Sequence, residues 1–203
     1  MGKMKKIDFR SDTVTKPSSQ MWARLIELTD EDIGDDVCQE DPTVYKLEEH
    51  AAKLVGKEAS LFVASGTMGN LVSILTHTHP GQEILLEQES HIYLDEVGGH
   101  ARLGGLVAKP FTSDLGVPHW SILEGLINDG IDIHEAKTGI ICLENTHNFH
   151  GGTVLTPDDM KRAREISVKH DIPLHLDGAR VFNSAVAQHI DVKKIMVLRQ
   201  KMR

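Results

Sequence analysis

The chain has 203 residues, 40% hydrophobic and 26% charged, with a formal net charge of −8. This is the composition of a water-soluble globular protein of one domain, or of one domain and a piece of another. The acidic balance excludes a nucleic-acid-backbone binder, which needs a basic face, but leaves room for a small anion in a local pocket.

Residues 18–28 and 42–55 read as helices, separated by an acidic loop at residues 30–36 that reads as solvated charge. Short apolar runs then alternate with amphipathic stretches, the pattern of a mostly parallel α/β sheet flanked by helices. Strands are expected at residues 61–64, 83–86, 105–108, 139–143 and 173–177. Helices are expected at 66–77, 120–128, 157–170 and 180–188, with Thr156 as N-cap and Pro157 at the first helical position of the third. The run at 139–143 is apolar on both faces, so it should be a central strand with Cys142 buried in it. The basic tail from Asp191 to Arg203 shows no motif and reads as a frayed end.

Some settings are excluded by pattern. Cys38 and Cys142 have neither CxxC nor zinc-like spacing, which fits a reducing compartment. The basic residues 1–6 are followed by no apolar stretch, so no secretory signal is expected. No apolar run is long enough to span a bilayer. A cytoplasmic protein without membrane contact is expected.

Ligands in parallel α/β sheets sit beyond the carboxyl ends of the strands. Four polar clusters fall there. Ser65-Gly66-Thr67-Met68-Gly69-Asn70 follows a strand and opens a helix, so its N–H groups and hydroxyls can hold a phosphate; a plain strand-to-helix turn accounts for it equally well. Glu89-Ser90-His91 offers a histidine for ring stacking or acid–base work, or simply a surface histidine. Glu144-Asn145-Thr146-His147-Asn148 points into the crevice or caps a turn before Gly151-Gly152. Asp177-Gly178-Ala179-Arg180 offers a carboxylate able to keep a pyridinium nitrogen protonated and an arginine able to bind a carboxylate; alternatively Asp177 caps a helix. Of the 12 histidines, His77/His79 and His147/His150 are close pairs, but without HExxH or Cys/His spacing no metal site is expected.

Taken together, these clusters and two further stretches resemble the threonine aldolase family of pyridoxal phosphate (PLP)-dependent lyases, of the aspartate-aminotransferase fold (fold type I). The further stretches are Asp8-Phe9-Arg10-Ser11-Asp12-Thr13-Val14-Thr15-Lys16-Pro17, and Gly34-Asp35-Asp36-Val37 with Glu40-Asp41-Pro42. The resemblance covers about residues 7–190. It implies that Ser65, Gly66 and Thr67 grip the PLP phosphate, that His91 stacks on the ring, and that Asp177 binds the ring nitrogen. Arg180 and Ser11 would hold the substrate carboxylate. The catalytic residues would be His91 and His147, near the substrate β-hydroxyl. The implied reaction is retro-aldol cleavage of L-threonine or L-allo-threonine to glycine and acetaldehyde, in a homo-oligomer.

The resemblance also implies an organisation: an N-terminal arm and helices over 1–57, a partial PLP-binding large domain over 58–190, a divergent tail over 191–203, and no small C-terminal domain. Two departures stand out. Cys38 and Gln39 replace an aromatic and a glycine. The family's Ser-Lys-Gly segment with the Schiff-base lysine has no counterpart, since the chain ends Met196-Val197-Leu198-Arg199-Gln200-Lys201-Met202-Arg203. Covalent PLP attachment and turnover are therefore not expected of this chain. The alternative is a non-catalytic remnant that binds PLP weakly or pairs with a full-length subunit. The strand at 61–64 would lack its neighbour, so local disorder over 58–70 and poor solubility are expected.

Overall fold

The computed structural model describes residues 7–196. They fall into two compact units, one ending at Glu49 and one beginning at His50.

In the first unit, Ser18 accepts a bond from Met21 N and caps α1 (Ser19–Ile26). Asp41 Oδ1 accepts from Thr43 N and Val44 N, both at 2.9 Å, at the start of α2 (Pro42–Val55), whose later turns belong to the second unit. None of residues 7–49 is buried.

The second unit continues with α3 (Gly66–His77), β1 (Glu83–Glu87), α4 (His91–Leu94), α5 (Gly99–Gly104) and β2 (Val107–Phe111). A small hairpin, β3 (Ser113–Asp114) and β4 (Val117–Pro118), turns through Leu115 and Gly116, both at positive φ as a two-residue turn requires. There follow α6 (Trp120–Gly125), β5 (Thr138–Glu144), α7 (Pro157–His170), β6 (Leu174–Asp177) and α8 (Val181–Ala187). The main sheet has the order β2-β1-β5-β6, and every pairing is parallel.

Side-chain alternation explains why the sheet is covered on both faces. Leu85, Ile141, Leu143 and Leu174 pack with Met160, Ala163 and Ile166 of α7 and Val181 and Ala185 of α8. Ile84, Leu86, Ile140 and Cys142 pack on the other side with Ile74 of α3, Ile92 and Leu106. Every residue of β5 is buried, as its apolar run requires, and Cys142 with it. Each fully buried Leu or Ile stabilises the fold by about 1.5–3 kcal/mol.

Four expectations change. Residues 61–64 join no ladder among the described residues, and Leu61 and Phe62 are largely exposed. An extended segment becomes a strand only where another strand lies alongside it. The third strand begins two residues later than expected and runs through Pro110. Gly105 is left-handed and closes α5, while Pro110 is tolerated because β2 lies at an edge of the sheet. The helix from Trp120 stops at Gly125, after which Asn128 bonds Glu135 and Ala136 O and turns the chain back towards β5. Finally, the tail does not fray from Asp191: Asp191 caps a 3-10 turn at Val192–Lys194, and Val192 and Ile195 are buried in the α7 and α8 core. Residues 197–203 lie outside the described residues.

Candidate active site at the carboxyl ends of the strands

Because all four strands run parallel, Glu87, Phe111, Glu144 and Asp177 end at one edge of the sheet, with Glu87 beside Phe111 and Glu144 beside Asp177. An apolar strand delivers a polar group there without burying a charge in its middle.

At the start of α3, Ser65 Oγ accepts from Met68 N at 3.1 Å. The N–H groups of Gly66 and Thr67 lie in the first turn, where no preceding carbonyl can accept them. A Cβ built on Gly66 would meet nothing within 4 Å, so the approach to this end of the helix is open.

Five residues into the same helix segment, Asn70 is 8% exposed and joins a buried network. Its Nδ2 donates to Asp177 Oδ2 at 2.8 Å and to Glu96 Oε1 at 2.7 Å. Asn70 Oδ1 lies 3.0 Å from His175 Nε2, and since an amide oxygen only accepts, His175 donates there. Burial pulls the pKa of His175 down to about 4, partly opposed by the Asp177 charge. Ala179 N donates to Asp177 Oδ1 at 3.1 Å, which fixes the carboxylate plane. His91 Nδ1 lies 3.1 Å from Glu96 Oε1. His91, Glu96 and Asp177 therefore form one group, with ligand atoms within 4.8 Å of one another.

Glu144 holds the neighbouring loops. Its Oε2 accepts from His91 N at 2.8 Å and its Oε1 from Asn148 N at 2.7 Å. Asn148 Oδ1 in turn accepts from Arg180 Nη1 at 2.8 Å, which draws Arg180 to the loop after β5. Asn145, fully buried, exchanges side-chain bonds with both backbone groups of Leu155 and anchors the base of that loop.

The sequence-expected residues therefore divide. His91, Asp177 and Arg180 are linked through Asn70, Glu96, Glu144 and Asn148. Ser65, Gly66 and Thr67 are tied to them by the helix that carries Asn70. His147 belongs to a different group: its ring is 2% exposed, and its Nε2 lies 3.1 Å from Glu87 Oε2, with His150 beside it. Ser11 belongs to the first unit, where its Oγ caps a 3-10 turn by accepting from Thr13 N. Glu144 stood in one of the strand-end clusters without a role of its own, while Glu96 and Glu87 went unassigned in the sequence. Nothing in the spacing of Glu96 and Glu87 sets them apart from surface acids, and only the fold buries them.

These residues fit PLP. The first turn of α3 offers unsatisfied N–H groups and the helix dipole for a phosphate. Asn70 sits about 6 Å along the axis from Gly66, and binds the one buried carboxylate of the Asp177 strand end. A phosphate site and an anionic partner for a ring nitrogen are thus joined by one rigid element. No lysine belongs to the described group.

Comparison with known proteins identifies the family. A family model described as Beta-eliminating lyase matches residues 8–199. The low specificity L-threonine aldolase of Escherichia coli (strain K12) is 42% identical over 191 residues, 93% of this chain and 55% of that protein. The low-specificity L-threonine aldolase 1 of Arabidopsis thaliana is 40% identical over 197 residues, 95% of this chain and 54% of that one. The solved structure of Leishmania major threonine aldolase shares the fold with a TM-score of 0.65 at 20% identity, over 72% of this chain and 43% of that one. The chain spans about half the length of the curated relatives it matches.

Proposed function

The chain belongs to the Beta-eliminating lyase family, which is PLP-dependent, and on that premise we propose that its strand-end crevice is the phosphate-and-ring portion of a threonine-aldolase-type site. The whole protein's reaction would be cleavage of L-threonine or L-allo-threonine to glycine and acetaldehyde. The observation that carries this reading is the buried Asp177, held by Asn70 from the helix whose N-terminus faces open space.

Bound PLP supplies an electron sink for the Cα–Cβ electrons of an amino acid. The chain's residues would do the rest. Ser65, Gly66 and Thr67 hold the phosphate through backbone N–H and hydroxyl groups. Asp177 keeps the ring nitrogen protonated, and Asn70 and Ala179 N hold its two oxygens in place. Arg180 presents its guanidinium to the substrate carboxylate, steadied by Asn148. Ser11 is assigned to the same carboxylate on the resemblance alone.

His91 stacks on the ring. With a proton on Nδ1 directed at Glu96 Oε1, its Nε2 keeps a lone pair to take the proton of a β-hydroxyl. His147 is enclosed by Glu87 and His150, and the geometry gives it no comparable opening. The 203 residues hold no Ser-Lys-Gly segment, so they would bind PLP without covalent attachment and without turnover.

The test is binding of L-threonine to the PLP-loaded chain, followed by the absorbance of the bound cofactor, with acetaldehyde measured in the same samples. Saturable binding is expected, weakened about tenfold or more by Arg180→Gln, because a charge-assisted bond is lost, and without acetaldehyde. Threonine binding indifferent to Arg180→Gln would overturn the site assignment. Acetaldehyde release would overturn the expectation of no turnover.

A further inference from the structure

We propose that Glu87, His147 and His150 form a binding site for a divalent transition metal of the zinc class, with the fourth position open to water. Three strand ends build it. Glu87 closes β1 and Glu89 follows it. His147 and His150 lie in the loop after β5, and that loop is folded back by bonds from His147 N to Thr153 O and from Gly152 N to His147 O. Ser113 and Gly116, after β2, complete the wall.

The donor atoms converge on the scale of a metal site. At metal–ligand distances of about 2.0–2.1 Å, the ligand atoms of a tetrahedral zinc lie about 3.3 Å apart. Here His147 Nε2 is 3.1 Å from Glu87 Oε2, and His150 Nε2 is 3.9 Å from Glu87 Oε1. One ligand atom each from Glu87, His147 and His150 lie within 4.8 Å of one another. The two rings stand 4.4 Å apart and tilted, so their nitrogens converge without stacking face to face.

Burial argues that the convergence is built rather than incidental. The Glu87 and His147 side chains are 3% and 2% exposed and that of His150 is 14% exposed. His150 Nε2 is buried and, despite its closeness to the Glu87 and Glu89 carboxylates, makes no aligned hydrogen bond among the described residues. A bound cation would give that nitrogen its partner. The outer contacts are those of a ligating carboxylate: Ser113 Oγ donates to Glu87 Oε1 at 3.0 Å and Glu89 N to Glu87 Oε2 at 2.6 Å. Gly116 keeps room for the imidazole, since a Cβ there would lie 2.8 Å from the His147 ring. The His147/His150 spacing carried no metal signature on the chain because Glu87 lies 60 residues away. The geometry thus gives His147 a ligand's role in place of a contact with the substrate's β-hydroxyl.

The experiment is titration of the chelator-stripped chain with Zn(II) alone by calorimetry and with Co(II) by visible spectroscopy, without PLP. One Zn(II) per chain is expected, with tetrahedral Co(II) bands and no thiolate band. His150→Ala should weaken binding by at least the about 10–100-fold that loss of an outer-shell partner costs. Glu87→Gln, which keeps the side chain's size, should do the same, with the fold of both variants checked by circular dichroism. His79→Ala, at an exposed position outside the cluster, should change nothing. No stoichiometric uptake, or uptake lost in His79→Ala and kept in His150→Ala, would overturn the site.

Discussion

Asn70 connects more of the candidate site than any residue named for chemistry. Its amide separates two buried carboxylates, Asp177 and Glu96, and accepts from His175. Asn70→Ala removes the amide's bonds to Asp177 Oδ2, Glu96 Oε1 and His175 Nε2 and should cost about 2–3 kcal/mol in urea denaturation; a loss under about 0.5 kcal/mol would show that water replaces the amide. His175 gives the network a pH dependence. Folded, it stays neutral down to about pH 4, whereas an unfolded histidine takes up its proton near the ordinary 6.5. Between those values the unfolded chain binds more protons, so stability is full above about pH 6.5 and falls as pH drops towards about 4, by on the order of 3 kcal/mol. Burial shifts His100 in the same direction. The difference in unfolding midpoint between the parent chain and His175→Gln isolates this contribution: the variant should be less sensitive over that window, and parallel profiles would refute the assignment. The cysteines separate by burial. Burial and the nearby Asp177 and Glu96 charges push the Cys142 thiol far up, while Cys38 is exposed. A thiol reagent should therefore modify one cysteine in the native chain and both after denaturation.

At the scale of elements, the strongest sequence signals were those where several local rules coincided. Thr156 and Pro157 gave α7 a cap and a preset φ, and the structure has both, with Asp159 adding a reciprocal bond to Thr156 N that the sequence reading did not include. Thr156→Ala should cost about 1 kcal/mol by the same denaturation measurement. The fully apolar run of β5 was legible for the same reason, since an interior strand of a parallel sheet needs no alternation. What was not legible depended on partners distant in the chain. Residues 61–64 have the composition of a strand but join no sheet among the described residues. Pro110 reads as a breaker until β2 is known to be an edge. The short α4 and α5 carry no periodicity to detect, yet α4 is where His91 sits. The same limit applies to the site. Motifs at strand ends announced Ser65, His91, Asp177 and Arg180. Glu96 and Glu87 became visible only once the fold had buried them beside histidines.

At the scale of the molecule, the chain is a covered four-stranded sheet with a largely exposed extended segment leading into its phosphate-type turn. Leu61 and Phe62, 72% and 54% exposed, are separated from Ser65 by Val63 and Ala64. Exposed extended apolar segments recruit other strands. The chain should therefore self-associate with rising concentration in light scattering; a monodisperse monomer at high concentration would contradict that expectation. Among the described residues no helix is long and apolar enough to cross a membrane. On the proposed reading, the first turn of α3 and Asp177 together form a PLP site. The most direct test is a titration of the chain with PLP, followed by quenching of its tryptophan fluorescence and compared with Asp177→Asn. Saturable binding of one PLP per chain is expected, weakened about tenfold or more when the carboxylate is replaced. Absence of saturable binding, or binding that Asp177→Asn leaves unchanged, would contradict that reading.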